Sequence, residues 1–175
     1  MKRVSLWLVL LLVACSGDAP VNSDYNPSID FSAYQSFSFG EPLIQAEPGS
    51  VARDPRVMET IRETVVEDLA SRPMSHVDAG GDISITISIA AANETAVDQW
   101  GMSWDGDGGF SSAGGTFEFK AGTLVLDFFD ASSGQLAWRG WSHGAMTRTN
   151  DPDLDFLAQL VVAMLAQYPP TSGEE

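Results

Sequence analysis

The chain has 175 residues, of which 44% are hydrophobic, so it is long enough for one domain with a sizeable core. Nine basic residues stand against 24 acidic ones, which gives a net charge of −15. A field of this sign repels phosphate backbones, so we expect no nucleic-acid partner and a well-hydrated acidic surface.

The N-terminal segment predicts a lipoprotein signal peptide. Residues 1–14 have a short basic start and an apolar run that is too short to span a membrane. The run ends at Cys15, the single cysteine, in the sequence LVAC, which resembles the lipobox of bacterial lipoproteins. The resemblance implies that Cys15 becomes a lipidated N-terminus, and two or more acyl chains hold a protein on a bilayer. Ser16, in place of aspartate, then implies the periplasmic leaflet of the outer membrane. The alternative is an ordinary secretory leader with an incidental cysteine.

The rest of the chain divides into a tether, one domain and a tail. Residues 15–23 are the lipidated N-terminus and tether, residues 24–170 are a single domain, and residues 171–175 are a disordered tail. Phe37 and Phe39 alternate with serines, which predicts a half-buried strand. Two segments, GTLVLDFFD and QLAWRGWSHGAM, flank the turn ASSG and predict a β-hairpin.

Two amphipathic helices are predicted from capping residues and apolar spacing. The first begins at Asp54-Pro55, with aspartate as the N-cap, and ends before Pro73. The second begins at Asp151-Pro152 and ends before Pro169-Pro170. The apolar positions recur every three or four residues: Met58, Ile61, Val65 and Leu69 in the first helix, and Leu157, Leu160, Val161, Met164, Leu165 and Tyr168 in the second.

The segment DISITISIA predicts how the layers pack. Its isoleucines alternate with polar residues, which is typical of an antiparallel strand with one covered face. We expect an α+β fold: a two-layer, mainly antiparallel sheet of about four strands with two helices on one face, in the order β-α-β-β-β-α. Ile83, Ile85, Ile87 and Ile89 should face the helices and meet Ile61, Val65, Leu160 and Val161, with Ser84, Thr86 and Ser88 on the other face.

Three segments resemble one bacterial lipoprotein family. They are DYNPSIDFSAYQSFSF, GTLVLDFFDASSGQLAWRGWS and the final LAQYPP. With the lipobox, their order and distances are similar to the family called domain of unknown function 4136. The segment SRPMSHVDAGGD departs from the shorter turn expected after the first helix. The resemblance implies an α+β lipoprotein domain in the cell envelope, and it supplies no catalytic residues.

The sequence GWSHG, residues 140–144, matches the G-x-S-x-G pattern of a serine-hydrolase nucleophile elbow. An elbow requires a helix directly after the serine, whereas here a strand is expected to continue. Ser142 and His143 should point to opposite faces of that strand, and His76 is the only other histidine. We therefore interpret the glycines as relieving crowding or making a bulge beside Trp138 and Trp141, and we expect no catalytic residue. An envelope hydrolase using Ser142 is the alternative.

No metal or cofactor site is predicted. The sequence DGDGG resembles the start of a calcium loop, but Phe110 and Thr116 stand where that loop needs glycine and glutamate. Weak cation binding by Asp105 and Asp107 is an alternative to a solvated turn. Neither histidine has a partner at helical metal spacing, which argues against zinc.

Trp100, Trp104 and Phe110 lie in a glycine-rich segment and are candidates for contact with a partner or with lipid. The alternative is that these rings cover the free face of the sheet. The sequence thus predicts a lipid-anchored envelope domain without catalytic activity. Its partners would be the membrane, through the anchor, and an unknown envelope protein or glycan, unless its role is structural.

Overall fold

The computed structural model describes residues 21–90, 103–105, 109–111, 122–145 and 151–170. Two α-helices, α1 (Pro55–Ala70) and α2 (Leu154–Leu165), lie within these ranges. The strands are β1 (Val21–Tyr25), β2 (Ser36–Phe39), β3 (Leu43–Gln45), β4 (Ser75–His76), β5 (Ile83–Ala90), β6 (Ser103–Asp105), β7 (Gly109–Ser111), β8 (Thr123–Asp130) and β9 (Leu136–Ser142). Residues 21–23, which the sequence pattern assigned to the tether, belong to β1.

Seven of these strands form one mixed sheet in the order β1-β9-β8-β5-β2-β4, with β3 also paired to β5. The pairs β1–β9, β9–β8 and β8–β5 are antiparallel, whereas β2 and β3 run parallel to β5, and β4 runs parallel to β2. The prediction of about four, mainly antiparallel strands is therefore wrong. Strands as short as β3 and β4 have too few residues to show an alternating pattern, and tertiary pairing makes them strands. The parallel pairs arise because α1 separates β2 and β3 from β5 in the chain, as in a strand–helix–strand crossover.

The caps of the two helices agree only in part with the sequence. Asp54 caps α1 as predicted, and its side chain accepts a hydrogen bond from the backbone N–H of Arg56 at 2.9 Å. Asp153, rather than the predicted Asp151, caps α2 and accepts from the N–H of Phe156 at 3.0 Å. Asp151 instead forms an ion pair with Arg56 at 2.8 Å. Neither helix in the described ranges is long and apolar enough to cross a bilayer.

The core lies between the helices and one face of the sheet. The four isoleucines of β5 are at most 1% exposed and share this core with both helices, as predicted. The helix α1 contributes Val57, Ile61, Val65 and Leu69, so Val57 is buried in place of the predicted Met58. The helix α2 contributes Leu157, Leu160, Val161, Met164 and Leu165.

The second face of the sheet is also buried at its centre. The register places Thr86 beside Asp127 and Ser88 beside Val125 on this face. Ser88 is 4% exposed, Val125 1% and Asp127 0%, so the prediction of a single covered face is wrong here. Alternation of apolar and polar residues distinguishes the two faces of a strand, but it does not report whether the polar face is covered.

The two ends of the sheet carry different features. At one end, Val21 at the start of β1 pairs with Ser142, and Ala90 pairs with Thr123. We call this the tether end, because β1 begins here and the predicted tether precedes β1 in the sequence. At the opposite end, the far end, β8 finishes at Asp130. The seven steps from Thr123 to Asp130 span about 23 Å at the usual strand rise.

Candidate functional site

The structure places Ser142 in a strand and not at a nucleophile elbow. Ser142 ends β9, is fully buried, and lies in register with Leu124 on the face that carries the helices. Its Oγ donates a hydrogen bond to the backbone carbonyl oxygen of His143 at 3.5 Å. The Nδ1 of His143 lies 2.9 Å from Oγ1 of Thr123, whose side chain is on the opposite face. A turn, and no helix, follows the serine, so the strand interpretation is confirmed.

Gly140 has a packing role. A Cβ placed on Gly140 would lie 2.3 Å from Cη2 of Trp138, because residues two apart in a strand share a face. The Trp138 ring is fully buried, with ring centroids 5.0 Å from Phe128 and 5.5 Å from Tyr168. Gly140 therefore makes room for Trp138, which is the first of the two roles considered for the glycines.

Several residues predicted to be functional cannot be assigned a site. Cys15, Trp100 and Asp107 lie outside the described ranges. The backbones of Trp104 and Phe110 pair with each other in the β6–β7 hairpin, within the connection from β5 to β8. Contact of this segment with a partner stays a prediction. Among the described residues, no group of three or more His, Cys, Asp or Glu side chains is placed to hold a metal ion.

A cavity of about 530 Å³ opens at the far end of the sheet. Three separate parts of the chain line this cavity: residues 29–34 except Ala33, residues 72–74 after α1, and residues 168–170 after α2. We call it the aromatic pocket. The sequence patterns do not reveal this pocket, because its residues come from irregular segments without periodicity. The one available signal was the dense run of aromatic side chains after residue 24.

The aromatic walls of the pocket are fixed to the core. The ring centroid of Phe31 lies 6.2 Å from Tyr34 and 5.8 Å from Tyr168, both in edge-to-face geometry. Tyr168 is 3% exposed, and its ring also contacts Phe128 at 4.7 Å. Phe31 and Tyr34 are only partly buried, so they present ring surface to the cavity. Edge-to-face packing of this kind holds the rings in defined positions.

The hydroxyl groups of Ser32 and Tyr34 both donate their hydrogens to carboxylates of the protein. Oδ1 of Asp30 accepts from the Ser32 Oγ at 2.6 Å and from the Ser32 N–H at 3.0 Å, and these bonds lower the pKa of Asp30. The Tyr34 Oη donates to Oδ2 of Asp130 at 2.9 Å, and the pKa of Tyr34 is raised, first by burial and then by this carboxylate. The Ser132 hydroxyl, above all, holds the pKa of Asp130 well below its usual range. At neutral pH, both carboxylates are therefore charged and the phenol is neutral.

Arg72, in the wall of the pocket, ties the C-terminal ends of the two helices together. Its guanidinium donates to Asp68 Oδ1 at 2.5 Å, to the Leu165 carbonyl at 2.9 Å and to the Tyr168 carbonyl. The last carbonyl groups of a helix have no intrahelical partner, and a cation placed there satisfies them. The contacts of Arg72 thus hold Tyr168 in the pocket wall.

A second cavity of about 530 Å³ lies between α1 and β4. Its charged side chains Glu63, Glu67 and Asp78 are exposed to water. The Arg62 guanidinium lies 4.8 Å from the centroid of the Phe39 ring, so the most apolar part of this cavity is already occupied by a cation. It is a weaker candidate than the aromatic pocket.

A buried ion pair lies on the second face of the sheet. Nε and Nη2 of Arg139 bond Oδ1 and Oδ2 of Asp127 at 2.5 and 3.0 Å, and the side chains are directly opposite on β9 and β8. Burial raises the pKa of Asp127, and the guanidinium opposes that shift. The register set by the predicted turn, in which Phe129 pairs with Leu136, would place Asp127 opposite Trp138. A β-bulge between Phe128 and Phe129 shifts the pairing by one residue, so the ion pair could not have been found from the hairpin pattern alone. The ion pair borders neither cavity, so we interpret it as structural.

The fold defines an α+β domain in which two helices cover one face of a mixed seven-stranded sheet. The sequence matches the family described as Domain of unknown function (DUF4136) over residues 21–170, and the chain belongs to this family. The resemblance drawn from its three segments is thereby confirmed. A comparison with curated proteins gives no match.

Two solved structures share the fold. A DUF4136 family protein from Bacteroides thetaiotaomicron is similar with a TM-score of 0.62 and 12% identity, over 87% of this chain and 96% of that chain. A PDZ domain protein from Parabacteroides distasonis is similar with a TM-score of 0.54 and 14% identity, over 87% of this chain but only 36% of that one. At these identities, the likeness concerns the fold alone.

Proposed function

We propose that this protein is a lipid-anchored domain on the periplasmic face of the outer membrane. It acts without catalysis and presents the aromatic pocket to an envelope protein or glycan. The observation that carries this proposal is the placement of the tether end and the pocket at opposite ends of the sheet.

The tether would hold one end of the domain near the bilayer. The chain from Cys15 to Val21 can extend at most about 22 Å, since each residue spans no more than ~3.6 Å. The pocket lies at the other end of the sheet, separated from the tether end by the length of β8. Lipidation of Cys15 would therefore leave the pocket open to the periplasm. An anchor next to the pocket would have obstructed it.

The connection between β5 and β8 leaves and re-enters the sheet at the tether end, at Ala90 and Thr123. Trp100, Trp104 and Phe110 in this connection are our candidates for contact with the lipid surface or with a membrane-bound partner. Aromatic side chains suit the interfacial region of a bilayer, where an apolar ring and a polar edge are both satisfied.

The burial of Ser142 supports a role without catalysis. A nucleophile must be reachable by substrate, whereas this hydroxyl is enclosed between the sheet and the helices. His143 bonds Thr123 on the opposite face. Neither side chain is therefore arranged for the transfer of a proton from serine to histidine.

Membrane fractionation tests the anchor. The unaltered protein, produced in a Gram-negative host, should appear in the outer-membrane fraction with a diacylated or triacylated Cys15 by mass spectrometry. Cys15→Ala should be soluble or unprocessed, and Ser16→Asp should stay lipidated but move to the inner membrane. An unmodified Cys15 in protein extracted from membranes would overturn the proposal.

Active-site labelling tests the absence of catalysis. A fluorophosphonate probe should leave the membrane-bound protein unlabelled, and Ser142→Ala should behave like the unaltered protein. Labelling that disappears in Ser142→Ala would show a reactive serine and contradict the non-catalytic role.

A further inference from the structure

We infer that the aromatic pocket binds a neutral saccharide, an inference that rests on the proposed role of this pocket as a ligand site. It is carried by the balance of hydrogen-bond donors and acceptors on the pocket wall, together with its aromatic surface.

The polar groups of the wall are mainly acceptors. The hydroxyl hydrogen of Ser32 is committed to Asp30, and that of Tyr34 is committed to Asp130. Their oxygen lone pairs, and Oδ2 of Asp30, stay available to a ligand. Arg72, the charged donor of the wall, uses three of its five N–H groups on Asp68 and on two backbone carbonyls. A ligand rich in hydroxyl groups therefore matches the wall, because its hydroxyls donate to the acceptors and their oxygens can accept from the remaining N–H groups.

The apolar surface of the wall is aromatic. The Phe31 ring and the partly buried Tyr34 ring present π surfaces, and the face of such a ring carries partial negative charge. A sugar ring has polarised C–H groups on its face and hydroxyl donors around its edge. It can therefore pack its face on Phe31 while its hydroxyls donate to Asp30, Ser32 and Tyr34.

The same features disfavour two other ligands. A proline-rich peptide exposes backbone carbonyl acceptors and few donors, so it would leave the carboxylate of Asp30 unmatched. A lysine or arginine side chain would bring donors for the Asp30 carboxylate, but a single extended side chain would leave most of the cavity unfilled. The volume of about 530 Å³ is within the range of sites for small organic ligands.

Calorimetric titration of the full-length protein tests the inference. The protein should be extracted in a zwitterionic detergent, because detergents with a sugar head group would compete for the pocket. The probes are maltotriose, cellotriose and chitotriose, with a ten-residue proline peptide as the alternative ligand. We expect at least one trisaccharide to bind and the proline peptide not to bind.

Matched variants locate the binding. Phe31→Ala and Asp30→Asn should each weaken saccharide binding by about tenfold or more, and Asn retains the capping oxygen of the turn. Tyr34→Phe removes one hydroxyl with little change of shape and should also weaken binding, which keeps the test usable if Phe31→Ala does not fold. Phe39→Ala, which alters the other cavity, should bind as the unaltered protein does.

Three other outcomes would contradict the inference. Binding that is lost in Phe39→Ala but retained in Phe31→Ala would overturn the assignment to the aromatic pocket. Binding of the proline peptide alone would overturn the saccharide inference and leave the proposed binding role intact. If no trisaccharide binds the folded protein, the inference is wrong, whereas the anchor is judged separately by fractionation.

Discussion

At the scale of single residues, Gly140 and Ser142 show how one short motif supports two different interpretations. Both residues belong to GWSHG, and both lie on the face of β9 that carries the helices. The glycine is required because the Trp138 ring occupies the space where its Cβ would be. The serine contributes a small, buried polar group whose hydroxyl bonds a backbone carbonyl. The motif is therefore explained by packing.

A pair of alanine substitutions in this motif should have unequal effects. Gly140→Ala should lower the free energy of unfolding by about 1–3 kcal/mol, because a methyl group must be forced against a fully buried ring. Ser142→Ala should cost about 1 kcal/mol or less, the usual worth of one neutral hydrogen bond. Urea unfolding followed by tryptophan fluorescence measures both. If Ser142→Ala is the more damaging change, our account of the motif is wrong.

At the scale of elements, the β8–β9 hairpin is held by unlike contacts on its two faces. On the helix face, Phe128 and Trp138 pack ring against ring. On the second face, directly adjacent in register, Asp127 and Arg139 form the buried ion pair. Both charges are removed from water, so each depends on the other for compensation.

Breaking this ion pair from one side should be strongly destabilising. Asp127→Ala should lower the free energy of unfolding by about 3–5 kcal/mol, because Arg139 is left buried without its counter-charge. The double variant Asp127→Leu/Arg139→Met should lower the free energy of unfolding by much less than the sum of the decreases caused by the two single substitutions. Arg56→Met, at an exposed ion pair, serves as the control and should lower the free energy of unfolding far less than Asp127→Ala does. Additive effects of the two single substitutions in unfolding experiments would contradict this coupling.

At the scale of the whole molecule, the acidic balance shapes stability and contacts. A net charge of −15 on a domain of this size produces repulsion among carboxylates, and it disfavours close contact with anionic head groups. Both effects agree with the proposal that a lipid anchor, and not surface charge, would hold the domain near a membrane.

Added salt should therefore stabilise the protein. Raising sodium chloride from about 0.01 M to about 0.15 M shortens the screening length from about 30 Å to about 8 Å, which weakens repulsion across the surface. We expect the thermal unfolding midpoint to rise over this range in calorimetry. Potassium chloride should give the same rise, since screening does not depend on the cation. A falling midpoint would show that favourable ion pairs dominate instead.

Much of the local structure could be predicted from the sequence. The helix α1 begins at Asp54-Pro55 because the cap and the first-turn proline are purely local signals. The isoleucines of β5 are buried because their period of two allows only one face to be apolar. For α2, two aspartates two residues apart could each act as the cap. The contact of Asp151 with Arg56, on another helix, was beyond any local pattern.

Both helices, the β8–β9 hairpin and the burial of the isoleucines could be predicted because each rests on residues close together in the chain, and the family followed from the order and spacing of three segments. The mixed, seven-stranded sheet could not be predicted in this way, since pairing between distant segments adds strands as short as β4. The aromatic pocket likewise forms only in the folded tertiary structure, because Phe31 and Tyr168 meet only after the sheet and both helices have packed. Periodicity describes one element at a time, whereas a site made from three loops depends on where the ends of different elements converge.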